Sequence, residues 1–312
     1  MMPQPSADQP LRIGTRGSPL ALAQAYETRD RLMAAHGLPQ EAFEVEVIQT
    51  TGDRVQDRAL SEIGGKGLFT LEIEEKLSDG RIQIAVHSMK DMPTVLPDGL
   101  GIHCLLPRED VRDAFVSEKY DAIAELPHGA VVGSSSLRRR AQLLNRRPDL
   151  QVVEFRGNVQ TRLRKLSDGV AEATFLACAG LRRLGQDALA DKAISPDDML
   201  PAVAQGAIGI ECRNDDEDTL ALLAAIHDIP TAQRLAAERA FLAGLDGSCR
   251  TPIAGLAEIH GDRLLFRGEI IRPDGSESRT IAREGFVQDG AAMGADAAAE
   301  LRAQGGLTLF QV

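Results

Sequence analysis

In the first third of the chain, short apolar runs alternate with segments in which apolar residues recur at helical spacing. Short apolar runs predict strands at residues 11–14, 43–49 and 82–86, and apolar positions at helical spacing predict helices at 19–35 and 68–77. The order of these elements is strand, helix, strand, helix, strand. Such an order favours a parallel sheet with helices on both faces, so we expect a first α/β domain.

The same pattern starts again after residue 114. Apolar runs predict strands at 130–133, 151–155 and 174–177 with helices between them, and the first of these helices is predicted at 137–145. We therefore expect a second α/β domain. A further apolar run with interior glycines, at 201–212, is consistent with a strand that returns toward the first domain.

The pattern changes after Pro230 and predicts a third, smaller domain. Its predicted elements are a helix, three strands and a terminal helix, at 231–243, 253–259, 264–271, 279–286 and 291–303. Several consecutive strands followed by a helix are typical of an α+β domain.

Polar residues follow the predicted strands at one end. Segment 15–18 (TRGS) follows the first strand, segment 50–53 with Asp53 the second, and Lys90 and Asp91 the third. Open parallel sheets bind ligands at the carboxyl ends of their strands. Two such edges facing each other would form a cleft with Asp91 as a lone acid among basic residues. The basic residues expected there are Arg16, Lys90, Arg138, Arg139, Arg156, Arg162 and Arg183.

The predicted helix at 137–145 starts in an unusual way. Three serines precede it, and its first turn holds Arg138, Arg139 and Arg140, where the partial positive charge of a helix N-terminus favours acidic residues. A bound carboxylate or phosphate would accept hydrogen bonds from the serines, the backbone and the guanidinium groups together. A solvated basic face at a poorly capped helix start remains the alternative.

Composition and charge narrow the class of protein. The chain has 312 residues, 43% of them hydrophobic, and a net charge of −11. This length can bury a sizeable core, and the acidic balance disfavours nonspecific nucleic-acid binding, so the arginines suit a small anionic ligand better. No apolar run is long enough to cross a bilayer, and segment 1–10 has no signal-peptide pattern. We expect a cytoplasmic protein that does not associate with membranes.

The four cysteines differ in their surroundings. Cys104, Cys178 and Cys212 lie in apolar runs, where cysteine is usually a small core residue, whereas Cys249 lies in a polar loop beside Arg250. Exposure and a nearby cation would favour a reactive thiolate at Cys249, although an ordinary loop cysteine is equally compatible with the loop alone. The cysteines show neither paired spacing nor a zinc pattern, so we expect no metal and no disulfide framework.

Two glycine-rich segments do not match nucleotide-binding motifs. The segment GGKGL at 64–68 has Leu68 where a phosphate loop requires serine or threonine, and it is better interpreted as a glycine hinge that carries Lys66. No GxGxxG follows the first strand, so a dinucleotide enzyme has little support.

Several blocks of the chain, in order from about residue 11 to 305, resemble the porphobilinogen deaminase family, also called hydroxymethylbilane synthases. These blocks are LRIGTRGSPLA at 11–21, GGKGLF at 64–69, AVHSMKD at 85–91, RGN at 156–158, and the segments 133–139, 201–211 and 246–252. The resemblance implies two α/β domains like those of type II periplasmic binding proteins, plus a small C-terminal α+β domain. The implied boundaries are 10–106 with 206–226 for a discontinuous first domain, 107–205 for the second and 229–312 for the third.

The resemblance also implies a reaction. The family condenses four porphobilinogen molecules head to tail with release of ammonia, and water then releases hydroxymethylbilane for porphyrin and heme biosynthesis. The chain grows on a dipyrromethane cofactor, which is joined by a thioether to a loop cysteine that matches Cys249. Each pyrrole carries an acetate and a propionate, so a cleft rich in arginine is expected.

Residue roles follow from position in the matched motifs. Asp91 would be the catalytic acid that stabilises positive charge on the pyrrole nitrogens and helps to pass protons. Lys66 and Phe69 would belong to a flap over the site, and Asp53 and Gln205 would be further residues of the cleft. The carboxylates of cofactor and substrate would be bound by Arg16, Ser18, Lys90, Ser136, Arg138, Arg139, Arg156, Arg162 and Arg183.

One position departs from the bacterial pattern. Glu62 stands where a bacterial form carries a lysine, which puts a contact of the flap in doubt but leaves the chemistry unaffected.

Two other functions are weighed against this enzyme. Two α/β lobes around an anion site also describe a small-anion solute-binding or sensor protein, but that function predicts a secretory signal and gives no reason for Cys249 or for a third domain. A nucleic-acid protein that uses Arg138 to Arg140 is disfavoured by the acidic balance. The substrate would be the small molecule porphobilinogen, and we expect a monomer.

Overall fold

The computed structural model describes residues 4–54, 70–247 and 251–310; at positions 53, 54 and 307 it describes the backbone only. The strands are β1 (Leu11–Thr15), β2 (Phe43–Val47), β3 (Ile84–Ser88), β4 (Leu100–Leu105), β5 (Asp113–Val116), β6 (Val131–Gly133), β7 (Gln151–Val153), β8 (Ala173–Ala177), β9 (Ile208–Arg213), β10 (Ile253–His260), β11 (Arg263–Ile271) and β12 (Ser278–Phe286). The α-helices are α1 (Pro19–His36), α2 (Thr51–Arg54), α3 (Leu71–Ser78), α4 (Leu137–Arg146), α5 (Val159–Ser167), α6 (Cys178–Arg183), α7 (Asp187–Ala190), α8 (Glu217–Ala224), α9 (Ile229–Gly244) and α10 (Gly290–Ala303).

The chain divides into two compact units. Among the described residues, the first unit comprises 4–54, 70–109 and 207–232, and the second comprises 110–206, 233–247 and 251–310. The predicted return of the chain after residue 201 is confirmed, because β9 pairs with strands of the first unit.

The first unit contains a five-stranded sheet in the order β2-β1-β3-β9-β4. β1, β2 and β3 are parallel as predicted, but β9 runs antiparallel to both of its neighbours. The reason is where β9 enters the sheet: the backbone N–H of Met89, just beyond the end of β3, donates to the carbonyl of Ala207, so β9 starts at the end where β3 stops. β4 was not predicted, and its register with β9 shifts between Ile102 and Cys104.

The second unit contains two sheets. One has the order β5-β8-β6-β7, in which β6, β7 and β8 are parallel and β5 is antiparallel to β8. β5 was also not predicted, since it has four residues and begins with a charged one, Asp113. The other sheet is the antiparallel meander β10-β11-β12, which matches the three strands predicted near the C-terminus.

Local sequence signals explain where the helices near the strand ends begin. Ser18 caps α1 by accepting from the N–H of Ala21 at 3.2 Å, and Pro19 supplies the preset φ of a first helical residue. Ser136 caps α4 and Asn158 caps α5 in the same manner. Each of these helices therefore starts at a polar residue that follows a strand.

The hydrophobic cores lie between the sheets and their helices. In the first unit Ile13, Ile84 and Ile210 are fully buried at the centre of the five-stranded sheet. In the second unit the rings of Phe115 and Phe175 pack at 6.1 Å between centroids. A search of the described helices finds none with both the length and the apolar character needed to cross a bilayer.

Candidate active site

The carboxyl ends of β1 and β3 carry the predicted polar residues of the first unit. Arg16 is half-buried directly after β1, and Ser18 caps the helix that follows. Lys90 and Asp91 lie in a 3-10 turn, Met89–Asp91, that begins where β3 ends. Asp91 is exposed, and no ion pair joins it to another described residue. Among the described residues, neither Lys90 nor an arginine therefore forms a salt bridge with Asp91.

In the second unit, two predicted arginines share one buried acid. Nη2 of Arg138 donates to Oδ2 of Asp113 at 2.6 Å, and Nη2 of Arg139 donates to Oδ1 at 2.6 Å. Asp113 is fully buried, and the two arginines are 4% and 6% exposed. The expectation that Asp91 is the lone acid among the basic residues is wrong, because Asp113 contacts two of them directly.

The ionisation of Asp113 follows from these contacts. Burial by itself opposes the charged form, but the positive charges of Arg138 and Arg139 outweigh it and hold the pKa of Asp113 well below its ordinary value. Asp113 is therefore a carboxylate at neutral pH. The alternative of a solvated basic face at the start of α4 is wrong for these two arginines, although Arg140 is exposed.

The remaining bonds of the two arginines use backbone carbonyls. Nη1 of Arg138 donates to the carbonyl of Leu200 at 2.9 Å, and Nη1 of Arg139 donates to the carbonyl of Phe175 at 2.9 Å. Nε of each arginine is buried and has no hydrogen-bond partner among the described residues. An unsatisfied buried donor is costly, so each guanidinium group has an edge that would gain from an acceptor.

The cluster formed by Asp113, Arg138 and Arg139 fits a carboxylate-bearing cofactor. Two guanidinium groups and one carboxylate carry a net charge of +1, and two Nε–H donors are unused. Glu269 of β11 also acts electrostatically on Arg138; burial raises the pKa of its carboxyl, and the charges of Arg146 and Arg138 oppose that rise. A carboxylate bound at the start of α4 would be stabilised by the positive charge of the two guanidinium groups.

Gln205 connects this cluster to the segment that precedes β9. Its Nε2 donates to Oδ1 of Asp113 at 2.9 Å and to the carbonyl of Val111 at 2.8 Å. The neighbouring Ala204 has a left-handed backbone, with φ of 61°, and its N–H donates to the buried carboxylate of Glu238 at 2.7 Å. Glu238 also accepts from the N–H of Ala257 at 2.9 Å, so it ties this segment to β10.

The other predicted polar residues of the second unit lie after strands β6 and β7 or on the helices α5 and α6. Ser136 accepts from the N–H of Arg139, and its hydroxyl hydrogen is available for a further acceptor. Arg156 is half-buried after β7, and the Nε of Arg162 donates to the carbonyl of Gly157 at 2.9 Å. Nη2 of Arg183, at the end of α6, donates to the carbonyl of Gly206 at 3.2 Å. The side chains of Ser136, Arg162 and Arg183 are therefore each held by a hydrogen bond to the backbone.

The three core cysteines are confirmed as buried thiols. Burial raises the pKa of Cys104, Cys178 and Cys212 to about 12 each, which makes them poor nucleophiles at neutral pH. Cys249, Lys66, Phe69 and Glu62 lie outside the described residues, as does the side chain of Asp53. No group of metal-ligating side chains is found in the described part of the chain.

Sequence reasoning missed Asp113, Glu238 and the buried pair His87 and Glu211. Asp113 lies in the sequence Arg-Asp-Ala-Phe, which has no motif of its own, and its partners are 25 and 26 positions later. A charged residue next to a short apolar run was the only available signal.

The fold and the site together define a mixed α/β protein with two largely parallel sheets, an antiparallel C-terminal sheet and a buried arginine pair. The family models of the porphobilinogen deaminase dipyrromethane cofactor-binding domain and C-terminal domain match residues 11–221 and 232–303. A curated porphobilinogen deaminase of Paracoccus denitrificans is 68% identical over 310 residues, which cover 99% of both chains. The chain belongs to the porphobilinogen deaminase family.

Solved structures that resemble the fold are more distant. A nutrient-binding protein from Burkholderia cenocepacia bound to methionine is 14% identical with a TM-score of 0.42, and the match covers 71% of this chain and 93% of that chain. The VFT2 domain of BvgS from Bordetella pertussis is 16% identical with a TM-score of 0.41, and the match covers 73% and 90%.

Family membership establishes the reaction. The protein is a transferase that condenses four porphobilinogen molecules head to tail with release of ammonia, on a covalently bound dipyrromethane primer, and it releases hydroxymethylbilane by hydrolysis. Its substrate is porphobilinogen, and the pathway is porphyrin biosynthesis. The solute-binding alternative is not favoured.

Proposed function

We propose that Cys249 holds the dipyrromethane cofactor through a thioether and that arginines of both α/β lobes neutralise the carboxylates of the growing chain. The observation that carries this proposal is the pair Arg138 and Arg139, two guanidinium groups that share the single carboxylate of Asp113. Each charge-assisted hydrogen bond to a carboxylate contributes roughly 1.5–3 kcal/mol. Asp113 fixes the pair, and Ser136 lies at the start of the same helix.

The other proposed carboxylate ligands follow strands of the two units or lie on helices that come after those strands. Those of the first unit are Arg16, Ser18 and Lys90, and those of the second are Arg156, Arg162 and Arg183. Asp53 and Gln205 are proposed to contribute further polar contacts, and Lys66 and Phe69 to form a flap that covers the site.

We assign the acid–base role to Asp91. The dipyrromethane, when bound, supplies the pyrrole carbon to which the substrate is added. The Asp91 carboxylate would accept hydrogen bonds from pyrrole N–H groups, stabilise their positive charge during bond formation and hold a proton between steps. Its exposure and its lack of an ion pair with any described residue support this role, because the carboxylate remains available to a ligand.

Intact mass of the denatured protein tests the attachment site. Protein from cells that make porphobilinogen should exceed the mass of the chain by two linked pyrroles, and a tryptic map should place the excess on the peptide with Cys249. Cys249→Ser should remove the excess, whereas the matched control Cys104→Ala, at a buried thiol, should keep it. An excess mass that persists in Cys249→Ser would contradict the proposal.

Turnover of Asp91→Asn tests the catalytic role. This variant should keep the cofactor and bind substrate but lose turnover, since an amide cannot hold the proton. Asp98→Asn, at another exposed acid in the same unit, is the control and should retain turnover. Turnover of Asp91→Asn close to that of the unmodified protein would remove Asp91 from the mechanism.

We further propose three domains with the boundaries 10–106 with 206–226, 107–205 and 229–312. The separate β10-β11-β12 sheet and the family match at 232–303 support the third boundary. Limited proteolysis that cuts first within a proposed domain, and not between domains, would contradict the division.

Cytoplasmic localisation and a monomeric state are also proposed. The three described cysteines are free thiols, as is usual in a reducing compartment. Cell fractionation and analytical ultracentrifugation test the two statements, and a periplasmic protein or a stable dimer would contradict them.

A further inference from the structure

The turn that carries Asp91 is held by the three residues that precede Lys90. His87 and Ser88 are the last two residues of β3, and Met89 begins the turn. These three residues belong to the AVHSMKD block, in which only Lys90 and Asp91 have proposed roles. The side chains of all three residues make contacts at the end of β3.

His87 is buried against an acid of the neighbouring strand. Its Nε2 lies 3.0 Å from Oε2 of Glu211, and the two side chains are 5% and 0% exposed. In the antiparallel register, Ala85 opposes Glu211 and His87 opposes Gly209, so His87 and Glu211 are diagonal neighbours on one face of the sheet. The tautomer of His87 with hydrogen on Nε2 donates to this carboxylate oxygen.

A second acid covers the same face. Glu74 of α3 is 6% exposed and interacts electrostatically with both Glu211 and His87. Burial raises the pKa of the Glu74 carboxyl above its ordinary value, Thr70 opposes this rise, and the charge of Glu211 adds to it. Oε1 of Glu74 and Oε1 of Glu211 are buried and have no hydrogen-bond partner among the described residues. His87 is therefore the hydrogen-bond partner of Glu211, and it acts on Glu74 through charge alone.

The opposite face of β3 and the start of the turn are fixed as well. The side chains of Ser88 and Gln24 of α1 exchange hydrogen bonds at 2.9 and 3.1 Å. Met89 is buried over Gly209, where a methyl group would overlap its Sδ. The chain is thus held on both faces of the sheet immediately before Lys90 and Asp91.

We infer that His87 is a positioning residue for the reaction: its Nε2 bond to Glu211 fixes the end of β3 and thereby holds the Asp91 carboxylate where it meets the pyrrole N–H groups. This inference rests on the proposed role of Asp91. A hydrogen bond to a reacting group works only over a narrow distance range, and a displacement of about 1 Å can cost about 100-fold in rate. His87 itself need not contact the substrate.

Two substitutions remove the imidazole ring of His87, but only one of them keeps a donor within reach of Glu211. The amide nitrogen of glutamine reaches the position of Nε2, whereas that of asparagine reaches only the position of Nδ1. His87→Gln should therefore keep the bond to Glu211 and retain most of kcat. His87→Asn should lose the bond and lower kcat by about 10- to 100-fold. KM should change little in both variants, because the side chains proposed to bind carboxylates are unaltered.

The readouts distinguish positioning from a general loss of structure. Cofactor mass and Tm are measured beside kcat and KM, and His87→Asn should keep the cofactor. Glu211→Gln provides a second route, because an amide oxygen in place of the carboxylate still accepts from His87 and should retain more of kcat than Glu211→Ala. An unchanged kcat in His87→Asn, or equal losses of kcat in His87→Gln and His87→Asn, would overturn the inference.

Failure of this inference is distinguishable from failure of the role proposed for Asp91. If Asp91→Asn loses turnover while His87→Asn retains it, only the positioning by His87 is wrong. If Asp91→Asn retains turnover, the proposed role of Asp91 is wrong, and a loss in His87→Asn cannot be due to a displaced Asp91.

Discussion

Asp113 and Arg139 are 26 positions apart in sequence, yet Oδ1 of the acid accepts from Nη2 of the arginine at 2.6 Å in the interior of the second unit. Arg138 donates to the other oxygen of the same carboxylate. One acid on β5 thus orients two arginines of the first turn of α4. The anion that the arginine-rich helix start requires is in part supplied by the chain itself.

Replacing Asp113 by asparagine should destabilise the protein strongly. The substitution leaves two buried guanidinium groups without a compensating charge, and breaking a buried ion pair on one side costs about 3–5 kcal/mol. The free energy of unfolding from urea titration measures the loss.

Asp149→Asn is the matched control for this experiment. Asp149 is the ion-pair partner of Arg147 at 2.7 Å, but this pair is much less buried, so its loss should have only a small effect. Equal stabilities of the two variants would contradict the dependence of the arginine pair on Asp113.

Replacing Gly209 by alanine should disturb the turn that carries Asp91. A methyl group at position 209 would overlap Sδ of Met89, and overpacking in a buried site typically costs about 1–3 kcal/mol. We expect a lower Tm and a lower kcat. Gly290→Ala, at the first residue of α10, is the control, because its backbone is helical and the nearest side-chain atom is 3.2 Å away.

The stability of the protein should depend on the titration of Glu74. Its pKa in the folded state is raised above the ordinary value of 4.5, so the folded state binds this proton more tightly than the unfolded state does. The resulting stabilisation is fully present below about pH 4.5 and is lost as the pH rises through the raised pKa. Glu74→Gln cannot titrate and should gain stability relative to the unmodified protein as the pH rises above about 4.5.

The neighbouring exposed residue supplies the control for this titration. Glu75→Gln removes an acid of the same helix that faces solvent, and its stability should follow that of the unmodified protein across the same pH range. Parallel curves for Glu74→Gln and the unmodified protein would contradict the raised pKa.

The buried thiols should not react in the folded protein. With a pKa of about 12, each of Cys104, Cys178 and Cys212 is a thiolate in about one molecule in 10⁴ at pH 8, and each is fully buried. Maleimide labelling followed by peptide mapping should leave all three unmodified under native conditions and modify all three after denaturation. Rapid native labelling of any of them would show that its site opens readily.

The sequence predicted most helices and strands because their signals are local. Helix α4 was expected at 137–145 and spans Leu137–Arg146, since a capping serine and helical periodicity lie within a few residues of one another. The strands β4 and β5 were missed, because one has an irregular register and the other has four residues. The antiparallel direction of β9 was also missed, since periodicity carries no information on strand direction.

The candidate site was predictable only in part. Motifs directed attention to Asp91, Arg138 and Arg139, but nothing near Asp113 in the sequence indicates that it pairs with arginines 25 and 26 positions later. The pair of His87 and Glu211, which are 124 positions apart, was equally hidden. The roles of Cys249, Lys66 and Phe69, which lie outside the described residues, remain predictions.

By itself the sequence determined the succession of strands and helices, the clustering of basic residues at strand ends and the family of the protein, since all three depend on residues that are neighbours in the chain or on ordered motifs. Only the tertiary structure decided which charges are paired. Pairing depends on distances between residues on different strands and helices, and burial makes those pairs strong because little water remains to screen them. Asp113 and Glu211 are therefore visible in the fold and not in the sequence.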